Sequence, residues 1–166
     1  MVSYLPLLLD EKTTFSLSFI GVIVSIWIGI GTIVCIFYGE IASFFGRKKI
    51  TIISYFALAI MAFLLTFVVN IYLISLIMIV LGIAFFITFP ANFSYVSEIT
   101  DETIEGKTFG YILTFQLGVG TILLFLSGAT ADIWGIWTPF FILGFFSLIV
   151  GIIFLINHKK LKPLNS

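Results

Sequence analysis

The chain has 166 residues, of which 61% are apolar and 10% charged, and its acidic and basic side chains balance at net zero. A water-soluble domain is about 45–50% apolar and about 25% charged, so this composition excludes a soluble globular fold. It also offers no net basic surface of the kind a nucleic-acid partner needs.

Four runs contain no Asp, Glu, Lys, Arg or His: 13–39, 50–97, 108–131 and 133–157. Uncharged runs of this length read as membrane-spanning helices, because about 20 residues at 1.5 Å rise cross the hydrocarbon core. Helices are required, since a lone strand in lipid leaves its backbone groups unpaired. The opening "MVSYLPLLL" is too short to span and reads as the last turns of a helix. It lacks the basic start and small-residue cleavage site of a leader peptide.

The first span is predicted at 15–38. It carries Cys35, whose expected role is that of a small buried hydrophobe. The run from 50 to 97 is too long for one helix at ordinary tilt. Asn70 in "VVNIY" divides it into spans at 50–69 and 71–94. The remaining spans are predicted at 108–131 and 137–157, with 158–166 as a tail. Trp134 and Trp137 flank the turn between those two spans, at the level indole rings favour. The whole of 1–166 therefore reads as a single all-α membrane domain of five spans.

Basic residues set the orientation. The 39–49 loop, the 95–107 loop and the C-terminal tail hold Arg47, Lys48, Lys49, Lys107, Lys159, Lys160 and Lys162. The connections on the other side hold only Lys12. By the positive-inside rule the 39–49 loop and the C-terminus face the cytoplasm of a multi-pass protein in the cell membrane.

The cations at 47–49 belong to a longer pattern. In "GEIASFFGRKK", Gly39, Ala42, Gly46, Arg47 and Lys48 stand at the spacing G-x-x-A-x-x-x-G-R-K. This resembles the signature loop of the major facilitator superfamily, G-x-L-A-D-R-x-G-R-K/R, which joins the second and third helices of each six-helix half. Ser43 replaces the family's acid and Phe44 the base after it, which leaves Glu40 as the acid nearest that position. Gly39 and Gly46 are expected to bracket a tight turn between antiparallel helices. Downstream, "FSYVSEITDETIEGKTFGY" is similar to the family's second loop motif through Tyr95, Glu98 and Gly106. Asp101 stands there at the usual Pro and Glu105 at the usual Arg. "GATADIWGIWTPF" resembles the family's G-x-x-x-D-x-x-G through Gly128, Asp132 and Gly135.

The resemblance covers about residues 5 to 157. It implies helices 8–12 of a twelve-helix carrier, with helices 2–6 as the other register. The degenerate signature loop and the short basic tail favour the C-terminal half. It also implies a small transported solute, alternating access and a second half. That partner is a complementary N-terminal half or a further copy of the chain, embedded with it in the lipid bilayer. A non-transporting membrane protein that packs against partner helices, or the product of a decayed transporter gene, is the other reading.

Two ladders of small residues stand at four-residue spacing. Gly21, Ser25 and Gly29 lie on the first span, and Gly106, Gly110, Thr114 and Gly118 on the fourth. Such ladders let helix backbones approach closely in lipid, and the resemblance places both on helices that meet the opposite half. The spans at 50–69 and 137–157 would then form the lipid-facing pair. Polar groups at membrane depth mark candidate paths for a solute; these are Gln116, and Thr88 and Asn92 beside the Pro90 break. No motif for hydrolysis, nucleotide binding or metal ligation occurs. The chain is thus expected to be no enzyme, with no catalytic, cofactor-binding or metal-binding residue. The acidic cluster Glu98, Asp101, Glu102 and Glu105 reads as a solvated loop.

The five-span topology makes a direct prediction. Single cysteines at Ser43, Thr103 and Ser166, in a Cys35→Ala background, should label from one side of the membrane with an impermeant thiol reagent. A cysteine at Asn70 should label from the other. Labelling of positions 43 and 70 from the same side would refute the topology.

Overall fold

Asn70 resolves the long apolar run. Its side-chain oxygen accepts hydrogen bonds from the backbone N–H groups of Tyr72 (3.0 Å) and Leu73 (3.4 Å). That caps the start of a new helix after a break at residues 68–70. The computed structural model describes residues 4–13, 15–101 and 103–157, apart from the side chains of residues 71 and 99. The basic tail, 158–166, lies outside the described residues.

The elements are α1 (Leu5–Lys12), α2 (Leu17–Ile36), α3 (Tyr38–Phe45), α4 (Arg47–Phe67), α5 (Ile71–Ile99), α6 (Glu105–Trp134) and α7 (Thr138–Asn157). All are helical, and α2, α4, α5, α6 and α7 are each long and apolar enough to cross a membrane. The helices run past the charge-free runs. α5 continues through Glu98, and α6 begins at Glu105 rather than at 108. At 1.5 Å per residue these two helices exceed the roughly 30 Å hydrocarbon core. Their charged ends therefore sit among headgroups, where polar helical turns are tolerated.

α4 is the centre of the packing. It lies against α5 on one side and α7 on the other, and α2 packs on α5. α4 is apolar all round, so side-chain size decides which face turns inward. Ala59 and Ala62 are fully buried beside Leu58 and Leu65, whereas Ile53, Ile60, Leu64 and Phe67 point outward. Glycines make notches at the same contacts. A Cβ at Gly82 of α5 would fall 2.5 Å from Trp27 Cδ1 of α2, and one at Gly144 of α7 would fall 3.0 Å from Phe63 Cε1 of α4. Trp27 also packs its ring against Phe85 and Phe86. α1 closes one end of the core with Leu5, Leu8 and Leu9.

Three expectations bear on this packing. The spans expected to be the lipid-facing pair, now α4 and α7, keep outer faces exposed but are more buried than α2 or α6. The small-residue ladders are not used within this chain. Gly21, Ser25, Gly29, Gly110, Thr114 and Gly118 are all exposed, and nothing lies within 4 Å of a Cβ placed on any of the four glycines. Spacing of four identifies a helix face, not the neighbour that will cover it; here the chain's own neighbours sit on other faces. Cys35 does more than fill space. Pro90 has no N–H to give to the carbonyl four residues back, and the Cys35 thiol donates to that carbonyl, Phe86 O, at 3.2 Å.

Lys12 supplies another polar contact between elements. Its ammonium donates to Leu65 O (2.7 Å), Thr66 O (2.8 Å) and Val68 O (3.0 Å) at the C-terminal end of α4. Those carbonyls have no partner inside the helix. A cation there also opposes the negative end of the helix dipole. Partial burial lowers the Lys12 pKa, and Glu11 acts in the opposite direction. Lys12→Met keeps the stem and removes all three bonds. It should destabilise the detergent-solubilised chain by about 1–2 kcal/mol, read as a lower thermal midpoint, while the exposed Lys49→Met should leave the midpoint in place.

Candidate functional site

At its basic end the bundle joins two of the sequence patterns. α2 ends at Ile36, and after Phe37 the chain continues as the short helix α3 before turning at Gly46. Gly46 has φ +84° and ψ 132°, a conformation side chains disfavour, so this position requires glycine. Gly39 does not bracket the turn as expected. It lies inside α3 with open space around it, because the helix resumes at Tyr38 and leaves all of the reversal to Gly46. Ala42 is buried with Tyr38, Ile50, Ile87 and Ala91, and this small cluster seats α3 on α4 and α5.

Arg47 is exposed, whereas Lys48 turns toward the end of α5. Its ammonium stands 3.6 Å from Glu98 Oε1, and both side chains are 22% exposed. The first loop pattern and the second thus meet through an ion pair. Ser43, in the place of the family's acid, donates its hydroxyl to Glu40 O at 2.7 Å. Glu40 itself is exposed and has no ion pair among the described residues. An open groove of about 760 Å³ runs beside this turn, lined by residues 42–49 and Glu98. Gly106 is exposed in the first turn of α6. At the opposite end Gly135, with φ +106°, terminates α6, and Asp132 is exposed beside it.

Deeper in the bundle, a cavity of about 280 Å³ lies where α4, α5, α6 and α7 converge. Two of the three expected path residues, Asn92 and Gln116, line it. Thr88 does not; it is buried and its hydroxyl donates to Phe85 O at 2.6 Å. Asn92 is held by Tyr55. The phenol donates to Asn92 Oδ1 at 3.0 Å, and Asn92 Nδ2 approaches the phenol oxygen at 2.8 Å. Tyr55 stacks on Phe154 with centroids 5.7 Å apart, and Tyr95 meets the same ring edge-on at 5.1 Å. Tyr95, read from the sequence as a loop residue, is therefore a wall of this cavity. Tyr55 and Phe154 escaped the sequence reading. A phenol inside an apolar span needs a hydrogen-bond partner, and that signal pointed to Tyr55.

The Major Facilitator Superfamily family model matches residues 1–166. The chain is also similar to an uncharacterized MFS-type transporter, YuxJ, of Bacillus subtilis (strain 168). It is 29% identical to that protein over 171 aligned residues, which cover 97% of this chain and 42% of the relative. The chain thus spans less than half the length of this relative. No solved structure matches it.

The two loop glycines can be told apart by experiment. Gly46→Ala forces a side chain into a disfavoured backbone region, at a cost of about 1–3 kcal/mol. Gly39→Ala, in an open helical site, should be neutral or stabilising by about 0.5–1 kcal/mol. Thermal midpoints of the two solubilised variants should shift in opposite directions or, for Gly39, not at all. Equal destabilisation by both would refute the distinction.

Proposed function

Because the chain belongs to the Major Facilitator Superfamily, we propose that it is one half of a carrier for small solutes and works by alternating access with a second half. The observation that carries this reading is α6. It spans 30 residues and contains no buried residue. It touches α7 and, more slightly, α5. Its exposed surface is not uniformly greasy, since Gly110, Thr114, Gln116, Gly118, Gly120 and Thr121 interrupt it. A purely lipid-facing helix gains nothing from that polar and small-residue surface. α2 repeats the arrangement, with Gly21, Ser25 and Gly29 exposed.

On this reading α2 and α6 meet the complementary half, and the C-terminal half of a carrier is the better register. The departures at Ser43 and Phe44 support that register. The ends of α4 and α5 joined by Lys48 and Glu98 support placing the 39–49 and 95–107 connections on one side. The excess of basic residues there favours the cytoplasmic side. The solute would move past the side of the bundle where Asn92 and Gln116 lie, as the two halves rock about it.

Reconstitution tests the reading. The chain alone in liposomes should give no carrier-mediated solute flux. Co-expression with the complementary half should restore flux and a stable complex. Gly29→Leu and Gly118→Leu, which fill the exposed ladders, should each weaken that complex. Robust flux by a demonstrated monomer would refute the proposal.

A further inference from the structure

The cavity between α4, α5, α6 and α7 has a chemistry of its own. It is lined by this chain's own residues. Tyr55, Phe89, Phe93, Tyr95 and Phe154 give it walls of aromatic ring. Val96 and Ile112 complete the apolar lining. Among the described residues, its only polar side chains besides the two phenols are the carboxamides of Asn92 and Gln116, and no Asp, Glu, Lys, Arg or His lines it. We propose that this cavity binds an uncharged, single-ring aromatic molecule bearing a carboxamide or similar donor–acceptor group.

Size, depth and polarity each support this class of ligand. A volume of about 280 Å³ lies just below the range of drug-sized ligand pockets, about 300 to 1,000 Å³, and so suits a single-ring guest. Rings around the space favour a flat aromatic guest through offset or edge-to-face contacts. The lining reaches from Val96 and Phe154, three residues from the ends of α5 and α7, inward to Tyr55 and Gln116, about 12–16 Å into α4 and α6. A charge taken to that depth without a counter-ion is costly. The nearest acid along α5 toward the helix end, Glu98, does not line the cavity and is paired with Lys48. That argues against an ammonium guest, although aromatic walls alone would accept one.

Hydrogen bonding completes the fit. Asn92 is oriented by Tyr55, and a carboxamide has two N–H donors and a two-lone-pair acceptor, so its bonding capacity exceeds this single partner. Gln116 has no hydrogen bond within the described residues and is exposed at the open side of the cavity, with Phe89. An amide guest whose ring lies among the aromatics can pair donor to acceptor with Gln116.

This inference does not require a second half, so a binding assay on the chain alone tests it separately from the flux experiment. The full chain in lipid nanodiscs would be titrated with 4-fluorobenzamide and followed by fluorine NMR. Saturable broadening, reversed by excess benzamide, is expected. 4-Fluorobenzoate and 4-fluorobenzylammonium should show only unsaturable partitioning. Gln116→Leu breaks no hydrogen bond in the chain and should weaken the amide about tenfold, the equivalent of one hydrogen bond. Fluorobenzene binding should be unchanged by that variant. Ile112→Trp, which fills the cavity from its wall, should abolish saturation, and the lipid-side change Leu117→Trp should not. Helix content and gel-filtration profile would confirm that each variant is folded. Absence of saturation in the unmodified chain would overturn the proposal. So would equal or tighter binding of either charged probe, or saturation unaffected by both Gln116→Leu and Ile112→Trp.

Discussion

A chain this apolar has almost no water to satisfy its backbone, and that constraint shapes the rest of the structure. Each carbonyl or N–H left open in lipid costs several kcal/mol (roughly), so the molecule is helical wherever it is apolar. The exceptions are closed by specific side chains. Pro90 opens the Phe86 carbonyl and Cys35 closes it from the neighbouring helix. α4 ends with open carbonyls and Lys12 closes them from α1. Asn70 caps α5. Ser54 and Thr51 turn their hydroxyls back onto Ile50 O and Arg47 O of their own helix. Two of these contacts, from Cys35 and Lys12, also join separate elements, so backbone satisfaction and tertiary packing are partly one requirement.

Packing follows a second rule of the same solvent. Lipid gives no hydrophobic drive for one apolar helix to join another, so close approach and shape decide which helices meet. α4 offers Ala59 and Ala62, and its neighbours offer glycine notches that receive large rings. The result is a tight α5–α4–α7 centre, with α2 on α5 and α6 held mostly by α7. The least buried helix is therefore also the one with the most conspicuous small and polar surface.

The two candidate sites follow the same packing. The basic end, with Gly46 turning the chain and Lys48 meeting Glu98, ties α4 to α5. The aromatic cavity lies inward from that tie and shares α4, α5 and their neighbours. Tyr95 and Glu98 are three residues apart on α5; one lines the cavity and the other holds the ion pair. The ion pair and the cavity wall thus share less than one turn of α5.

Much of this was legible in the residues. Charge-free runs marked the spans, because lipid excludes charge. Asn70 marked the break, because a carboxamide can replace the missing backbone partner. Gly46 was marked by its place before three cations, and Asn92 and Gln116 by their polarity at depth. Helix ends, by contrast, ran beyond the apolar runs at Glu98 and Glu105, since the headgroup region permits charge without ending a helix. Only the tertiary structure decided that Gly39 is helical and Gly46 makes the turn alone, that Thr88 bonds within its own helix, and that Tyr55 and Phe154 join Asn92. Only it showed that the ladders on α2 and α6 face away from the chain's own helices. The physical reason is that solvent preference is a property of each residue and is written along the chain. Which faces touch depends on the shapes of several helices at once, and no single segment carries that information.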